Sequence, residues 1–235
     1  MFTAADFELY TPAFWSDPDW NARRLEIRHR LQALGERVRE GYRDRFGIEL
    51  ERRESLHHPH ASNRKRVVRQ RTMLFRGKAD RKVLQRFLGP ELAKDLDSAY
   101  RNVHLEAGIE HSGTFWGLKL LPDAWYDLNA LKERMATPEG GRALAEAARG
   151  APGFVLTLDG GGARPLETMD ERDWRDLAGL LKPGETALEV VARLAPEASV
   201  AAGEDWDEGV VADLLRLEPL LRLATWTIDP AKPSF

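Results

Sequence analysis

The chain of 235 residues contains no cysteine. Disulfide bonds, cysteine-ligated zinc, iron–sulfur clusters and thiol nucleophiles are therefore excluded. Long apolar runs are also missing: no stretch of about 18 apolar residues appears, so we expect no membrane-spanning helix and no membrane partner. The first ten residues hold two acids and no base, which is unlike a signal peptide and favours a cytoplasmic protein.

The motifs of several enzyme classes are absent as well. The sequence has no His-Glu-x-x-His and no Gly-x-Ser-x-Gly. The glycine run 160–162 is not followed by the Lys-Ser or Lys-Thr of a phosphate loop, and Gly117 stands where a nuclease of the acid-x-Lys type would place a carboxylate before Lys119. The sequence therefore identifies no activity, leaves open whether the protein is an enzyme, and predicts no cofactor.

The composition is that of an ordinary folded protein, with 43% hydrophobic and 31% charged residues. We expect one α+β domain over residues 1–228. The tail, 229–235, contains two prolines and is predicted to be loose.

Hydrophobic periodicity predicts a long amphipathic helix that follows Asp17-Pro18 and ends near Phe46. Five strands are predicted, the clearest being a hairpin with alternating apolar residues. They cover 48–54, 66–76, 103–109, 114–120 and 154–158. Shorter helices are predicted between and after them, including 90–99, 185–194 and a helix capped by Thr168 and Glu171. The expected fold is a mixed or mainly antiparallel sheet of about five strands, with helices on one face and a helical C-terminal part.

The net charge of −3 hides an uneven distribution. Residues 52–86 hold twelve lysines and arginines but only two acids, Glu54 and Asp80. Such a segment is typical of proteins that bind phosphate or another anion. The predicted anion-binding residues are Arg64, Lys65, Arg66, Arg69, Arg71, Arg76, Lys82 and Arg86.

The leading hypothesis is that this basic segment binds an anionic partner, either nucleic acid or a phosphorylated ligand. The alternative interpretation is that its side chains are solvated and paired with carboxylates of the later helices. That alternative needs no ligand at all.

A second hypothesis is a metal-dependent hydrolase or transferase with its site on the hairpin 103–120. His104, Glu106, Glu110 and Lys119 would lie on its polar face. The loop histidines His57, His58 and His60 are weak candidates for metal ligands, because their spacing matches no established pattern.

A third hypothesis is a subunit that contacts a protein partner. The long N-terminal helix would present its apolar stripe to that partner. Trp15 and Trp20, which are flanked by acids, are also candidates for a partner surface.

Overall fold

The computed structural model of the chain describes residues 1–91, 93 and 95–227. Nine α-helices lie within these residues: Ala4–Glu8 (α1), Asn21–Phe46 (α2), Lys78–Leu88 (α3), Trp125–Ala136 (α4), Pro138–Arg149 (α5), Glu171–Leu180 (α6), Pro196–Ala202 (α7), Asp205–Arg216 (α8) and Glu218–Ala224 (α9). Seven strands are present in the same part of the chain: Leu50–Glu54 (β1), Arg69–Arg76 (β2), His104–Glu110 (β3), Gly113–Leu120 (β4), Val155–Leu158 (β5), Gly162–Pro165 (β6) and Leu188–Leu194 (β7). The fold is therefore α+β, as predicted.

The seven strands form one sheet in the order β1-β2-β3-β4-β7-β5-β6. Every neighbouring pair is antiparallel. Strands β1 to β4 follow one another in space as they do in sequence, and β7 then inserts between β4 and β5. The sheet is thus antiparallel throughout rather than mixed.

The prediction of about five strands was too low, because β6 and β7 were missed. Residues 185–194 were predicted to be helical, but 188–194 form β7, paired with β4 on one side and β5 on the other. The β-branched pair Val190 and Val191 suits this place between two strands. In the glycine run 160–162, Gly160 and Gly161 form a turn and Gly162 begins β6, which closes a hairpin with β5.

Two helix predictions are also corrected. Helix α6 is capped by Asp170, whose carboxylate accepts a hydrogen bond from the amide of Asp173, while the Thr168 hydroxyl donates to the carbonyl of Pro165. The helix predicted over 90–99 is not found in the described residues of that segment, which form turns before a short 3-10 helix, Ala99–Arg101. Asp95 has a φ of 62°, which breaks a right-handed helix.

Alternation along the strands gives the sheet two different faces. The first carries the apolar side chains of β3 and β4, such as Leu105 and Trp116, and it is contacted by α2 and α8. The second carries mostly charged side chains together with Phe75 and Phe115. We define these as the apolar face and the polar face. The expectation that helices pack on one face is not confirmed, because α3 reaches the polar face, where Arg81 lies over the ring of Phe75.

Helix α2 uses its apolar stripe inside the chain. Leu31, Leu34 and Val38 are buried, and a methyl group on Gly35 would collide with the Thr72 side chain of β2. Gly47 ends the helix in the left-handed conformation, with a φ of 66°. The stripe that was considered as a contact for a protein partner is therefore covered by the sheet and α8.

The described part of the chain contains no helix long and apolar enough to cross a membrane. The tail predicted to be loose, 229–235, lies outside the described residues.

A buried ion pair fixes the end of β2 from which the chain enters α3. Asp127 of α4 accepts hydrogen bonds from Arg76 Nη2 at 2.6 Å, from the amide of Val103 at 2.7 Å and from the amide of Trp226 at 2.8 Å. Arg76 and Asp127 are both buried. The pair joins β2, α4 and the segment after α9. Arg76 is the last residue of β2, two residues before α3 begins.

We therefore expect Asp127→Asn to lower the free energy of unfolding by about 3–5 kcal/mol, because the buried charge of Arg76 loses its partner. Asp123→Asn, at an exposed position just before α4, is the matched control and should change it by less than about 0.5 kcal/mol. Urea denaturation of both variants measures the difference. Equal free energies of unfolding in the two variants would show that the Arg76–Asp127 pair does not stabilise this part of the fold.

Candidate functional site

The structure distributes the eight predicted anion-binding residues over several places. Arg64, Lys65 and Arg66 are exposed in a turn before β2. Lys82 and Arg86 are exposed on α3. The other three belong to β2 and are considered separately, because carboxylates lie near all of them.

Within β2, alternation separates the three arginines. Arg69 and Arg71 lie on the polar face, where Arg71 Nη1 contacts Glu106 Oε2 at 2.7 Å and Arg69 is 3.9 Å from Glu110. Arg76 points to the opposite side and binds Asp127. The eight residues therefore do not form one continuous surface, and the three arginines of β2 already have carboxylates beside them.

A polar pocket lies between β1 and α3. We call it the α3 pocket; its cavity has a volume of about 230 Å³. Its lining consists of Glu51, Arg53, Lys78, Arg81, Lys82, Gln85 and Asp97. Among the described residues, the lining holds two more cations than carboxylates.

Regular geometry brings the lining residues together. Positions 78, 81, 82 and 85 share one face of α3, since residues three and four apart are neighbours on a helix. Glu51 and Arg53 are two apart on β1 and point to the same side of the sheet. The pocket is therefore the space between one helix face and one strand face.

Arg81 alone is buried among the lining residues that the structure describes, with its side chain 6% exposed. Its Nη1 donates to the carbonyl of Arg76 at 2.8 Å, and its guanidinium contacts both Glu51 and Asp97, the latter at 3.6 Å. One guanidinium therefore faces both carboxylates of the described lining.

The other three cations of the pocket are exposed: Arg53, Lys78 and Lys82. Considering the residues that the structure describes, none of the three has a carboxylate oxygen within 4.0 Å. Three exposed cations therefore line one cavity, and each can donate charge-assisted hydrogen bonds.

Sequence reasoning found one residue of this pocket, Lys82, and missed Arg53, Lys78 and Arg81. The spacing of 78, 81 and 82 was the available signal on α3. Nothing in the sequence indicated that β1 would lie opposite that helix face. Arg86, although predicted, is not part of the lining.

The residues named for the second hypothesis also come together on the polar face. Lys119 Nζ lies 2.9 Å from Glu106 Oε1 and 3.1 Å from Glu189, and His104 Nε2 lies 4.0 Å from Glu106 Oε2. Glu110 is displaced along β3 and is bound by Arg193 at 2.7 Å. His104 and Glu106 are each 0% exposed, so a substrate in solution does not reach them in this conformation.

Electrostatics holds Glu106 in its charged form. Burial alone would raise the pKa of Glu106, but the charges of Arg71 and Lys119 outweigh burial and keep the pKa below its usual value. For His104, burial dominates and lowers the pKa, so that the ring is neutral near pH 7. This cluster is a buried ion network with a neutral histidine beside it.

The three histidines of the loop 57–60 lie close together. The rings of His57, His58 and His60 lie in a row, with centroids 4.7 Å and 6.0 Å apart. His60 Nδ1 is used locally, as it lies 2.9 Å from the Ser62 hydroxyl. Over the described residues, no group of three or more His, Asp or Glu side chains has an arrangement that would hold a metal ion.

A second cleft, of about 340 Å³, contains Arg76 and Arg222. Both cations are neutralised: Arg76 binds Asp127, and Arg222 binds Glu218. Glu49 and Asp80 add two further carboxylates to its lining. This cleft is larger than the α3 pocket but offers no excess of positive charge to an anion.

The lowered pKa of His104 leads to a prediction about how the stability of the protein changes with pH. The unfolded chain binds a proton at this residue near pH 6.5, whereas the folded chain binds it only at lower pH. Its contribution to stability is thus fully present above about pH 6.5 and is lost as the pH falls, by up to about 1.4 kcal/mol per pH unit.

Urea denaturation between about pH 7 and pH 5 should therefore show a shallower loss of stability in His104→Gln than in the unmodified protein. His111→Gln, in the exposed turn between β3 and β4, is the matched control and should keep the original slope. A His104→Gln variant whose slope equals that of the unmodified protein would contradict the assignment of a neutral, buried His104.

Comparison with known proteins does not assign a family to this geometry. No protein-family model matches the chain, and no curated protein matches its sequence. The function has to be inferred from the chemistry of the site itself.

Proposed function

We propose that this protein binds a small anion, the phosphoryl group of a phosphorylated ligand, in the α3 pocket. The observation that carries the proposal is the set of three cations, Arg53, Lys78 and Lys82, that surround one cavity and have no carboxylate within 4.0 Å in the described part of the chain. Arg81 supports them by facing both carboxylates of the lining.

The chemistry of the lining fits a phosphoryl group. Arg53 can present two parallel N–H donors to two oxygens, while Lys78 and Lys82 act as point charges on flexible stems. A monoester phosphate carries a charge of about −1.5 to −2 near pH 7, which matches an excess of two cations. Because the three cations are exposed, the interaction should weaken as salt is added.

The same lining favours binding without covalent chemistry. The residues described around this pocket include no serine, threonine or histidine, and both of its carboxylates face Arg81. The groups of the described lining best suited to a phosphoryl group are therefore cations that bind it, rather than a hydroxyl or an imidazole that would react with it. We therefore propose a binding function for this pocket rather than a catalytic one.

The test is isothermal titration calorimetry with inorganic phosphate and with a sugar monophosphate at two salt concentrations. We expect Lys82→Gln to weaken binding by about tenfold or more. The substitution removes one direct charge-assisted contact, and such contacts contribute about 1.5–3 kcal/mol. Arg86→Gln is the matched control. It removes the same charge one helical turn away, outside the lining, and should change the affinity by less than about threefold.

Two results would contradict the proposal. One is the absence of any salt-sensitive heat of binding with either ligand. The other is an equal loss of affinity in Lys82→Gln and Arg86→Gln, which would mean that only the general positive charge of α3 matters. A loss confined to Lys82→Gln supports the pocket.

A further inference from the structure

A second group of unneutralised cations lies away from the α3 pocket. No acidic residue occurs between Ser55 and Ala79. Arg64, Lys65 and Arg66, which we call the basic turn, are exposed and have no carboxylate oxygen within 4.0 Å among the residues described. Three consecutive cations in a turn therefore face solvent.

The backbone of the basic turn is held in an unfavourable conformation. Arg64 and Lys65 have φ values of 55° and 56°, a region that residues with a side chain rarely adopt. Local hydrogen bonds hold the turn: the amide of Lys65 donates to His60 O at 2.8 Å, and the amide of Arg66 donates to Asn63 O at 3.1 Å. Positions that favour glycine thus carry two cations, an arrangement that is expected where the cations themselves are used.

Aromatic side chains of the segment before α2 adjoin the basic turn. Ser16 Oγ donates to the carbonyl of Lys65 at 2.9 Å, and the amide of Val67 donates to the carbonyl of Trp15 at 2.8 Å. The guanidinium of Arg66 lies over the Trp15 ring, 5.1 Å from its centroid. The two segments are therefore fixed to one another, and the Arg66 guanidinium lies beside the Trp15 indole ring.

Trp20, in the same segment as Trp15, is an aromatic residue that is open to solvent. It is 37% exposed, and its ring meets Phe14 edge to face, with the centroids 5.7 Å apart. One edge of the ring is therefore supported from inside the protein, while part of it stays open. Asp17, in the same segment, has its carboxylate turned to the amide of Asp19, where it caps the following turn.

We propose that the basic turn, together with Trp15 and Trp20, binds single-stranded nucleic acid. Phosphates would contact Arg64, Lys65 and Arg66, and an unstacked base would lie on Trp20. Cations beside aromatic rings are how proteins hold single strands without reading their sequence, because every base offers a face for stacking. A duplex keeps its bases stacked on one another, and an acidic peptide has no base, so neither uses the tryptophan.

The experiment is fluorescence anisotropy with a labelled oligothymidylate, compared with a labelled duplex and a labelled polyglutamate of similar charge. We expect the single strand to bind most tightly, with a slope of log affinity against log salt of about −2, since each phosphate contact contributes about −0.7. Tighter binding of the duplex or of polyglutamate would overturn the proposal. So would the absence of binding to all three.

The double variant Arg64→Gly/Lys65→Gly separates charge from folding. Glycine suits the positive φ at both positions, so urea stability should be retained, while affinity for the oligothymidylate should fall at least tenfold. Unchanged affinity in a stably folded double variant would remove the basic turn from the proposal.

Trp20→Leu tests the aromatic part and should weaken binding of the single strand about tenfold but leave binding of polyglutamate unchanged. Equal effects on both ligands would contradict base stacking. Lys82→Gln, in the α3 pocket, is the control: it should leave oligothymidylate binding intact, and the double variant should leave phosphate binding in the α3 pocket intact. The two proposals can therefore fail separately.

Discussion

The α3 pocket depends on the contacts that the guanidinium of Arg81 makes with β1, β2 and the segment before β3. This guanidinium is buried, it joins α3 to the carbonyl of Arg76 at the end of β2, and it faces the carboxylates of Glu51 and Asp97. A buried charge is tolerated only when it is paired and hydrogen-bonded, and Arg81 meets both conditions. None of the three exposed cations around it has a carboxylate oxygen within 4.0 Å in the part of the chain that the structure describes.

The difference between paired and unpaired cations organises the basic segment 52–86. Where the segment forms β2, alternation places Arg71 beside Glu106 and Arg76 beside Asp127, and both ion pairs are largely withdrawn from solvent. Where it forms turns or helix surface, the cations stay exposed. The alternative interpretation of the sequence, pairing with carboxylates of the later helices, describes Arg76, which binds Asp127 of α4, whereas Arg71 pairs with Glu106 of strand β3. Anion binding is now proposed only for the turn before β2 and for the α3 pocket.

The sequence predicted those parts of the fold that depend on local patterns. Alternation and helical spacing located five strands and the long helix α2, because these signals are carried by neighbouring residues. Strand β7 was missed because its place is decided by pairing with β4 and β5, which are distant in the chain. The α3 pocket was missed for the same reason: Arg53 and Lys78 belong to elements that only the folded chain brings together, so a count of charges along the chain did not distinguish them from Arg76.

The most direct test of the account is a crystal structure of the protein soaked with tungstate, a heavy analogue of phosphate that is located by its anomalous scattering. The account predicts an anomalous peak within the α3 pocket, in contact with Arg53, Lys78 and Lys82, while Arg81 keeps its contacts to Glu51 and Asp97. An empty α3 pocket, with tungstate bound only elsewhere on the molecule, would contradict it.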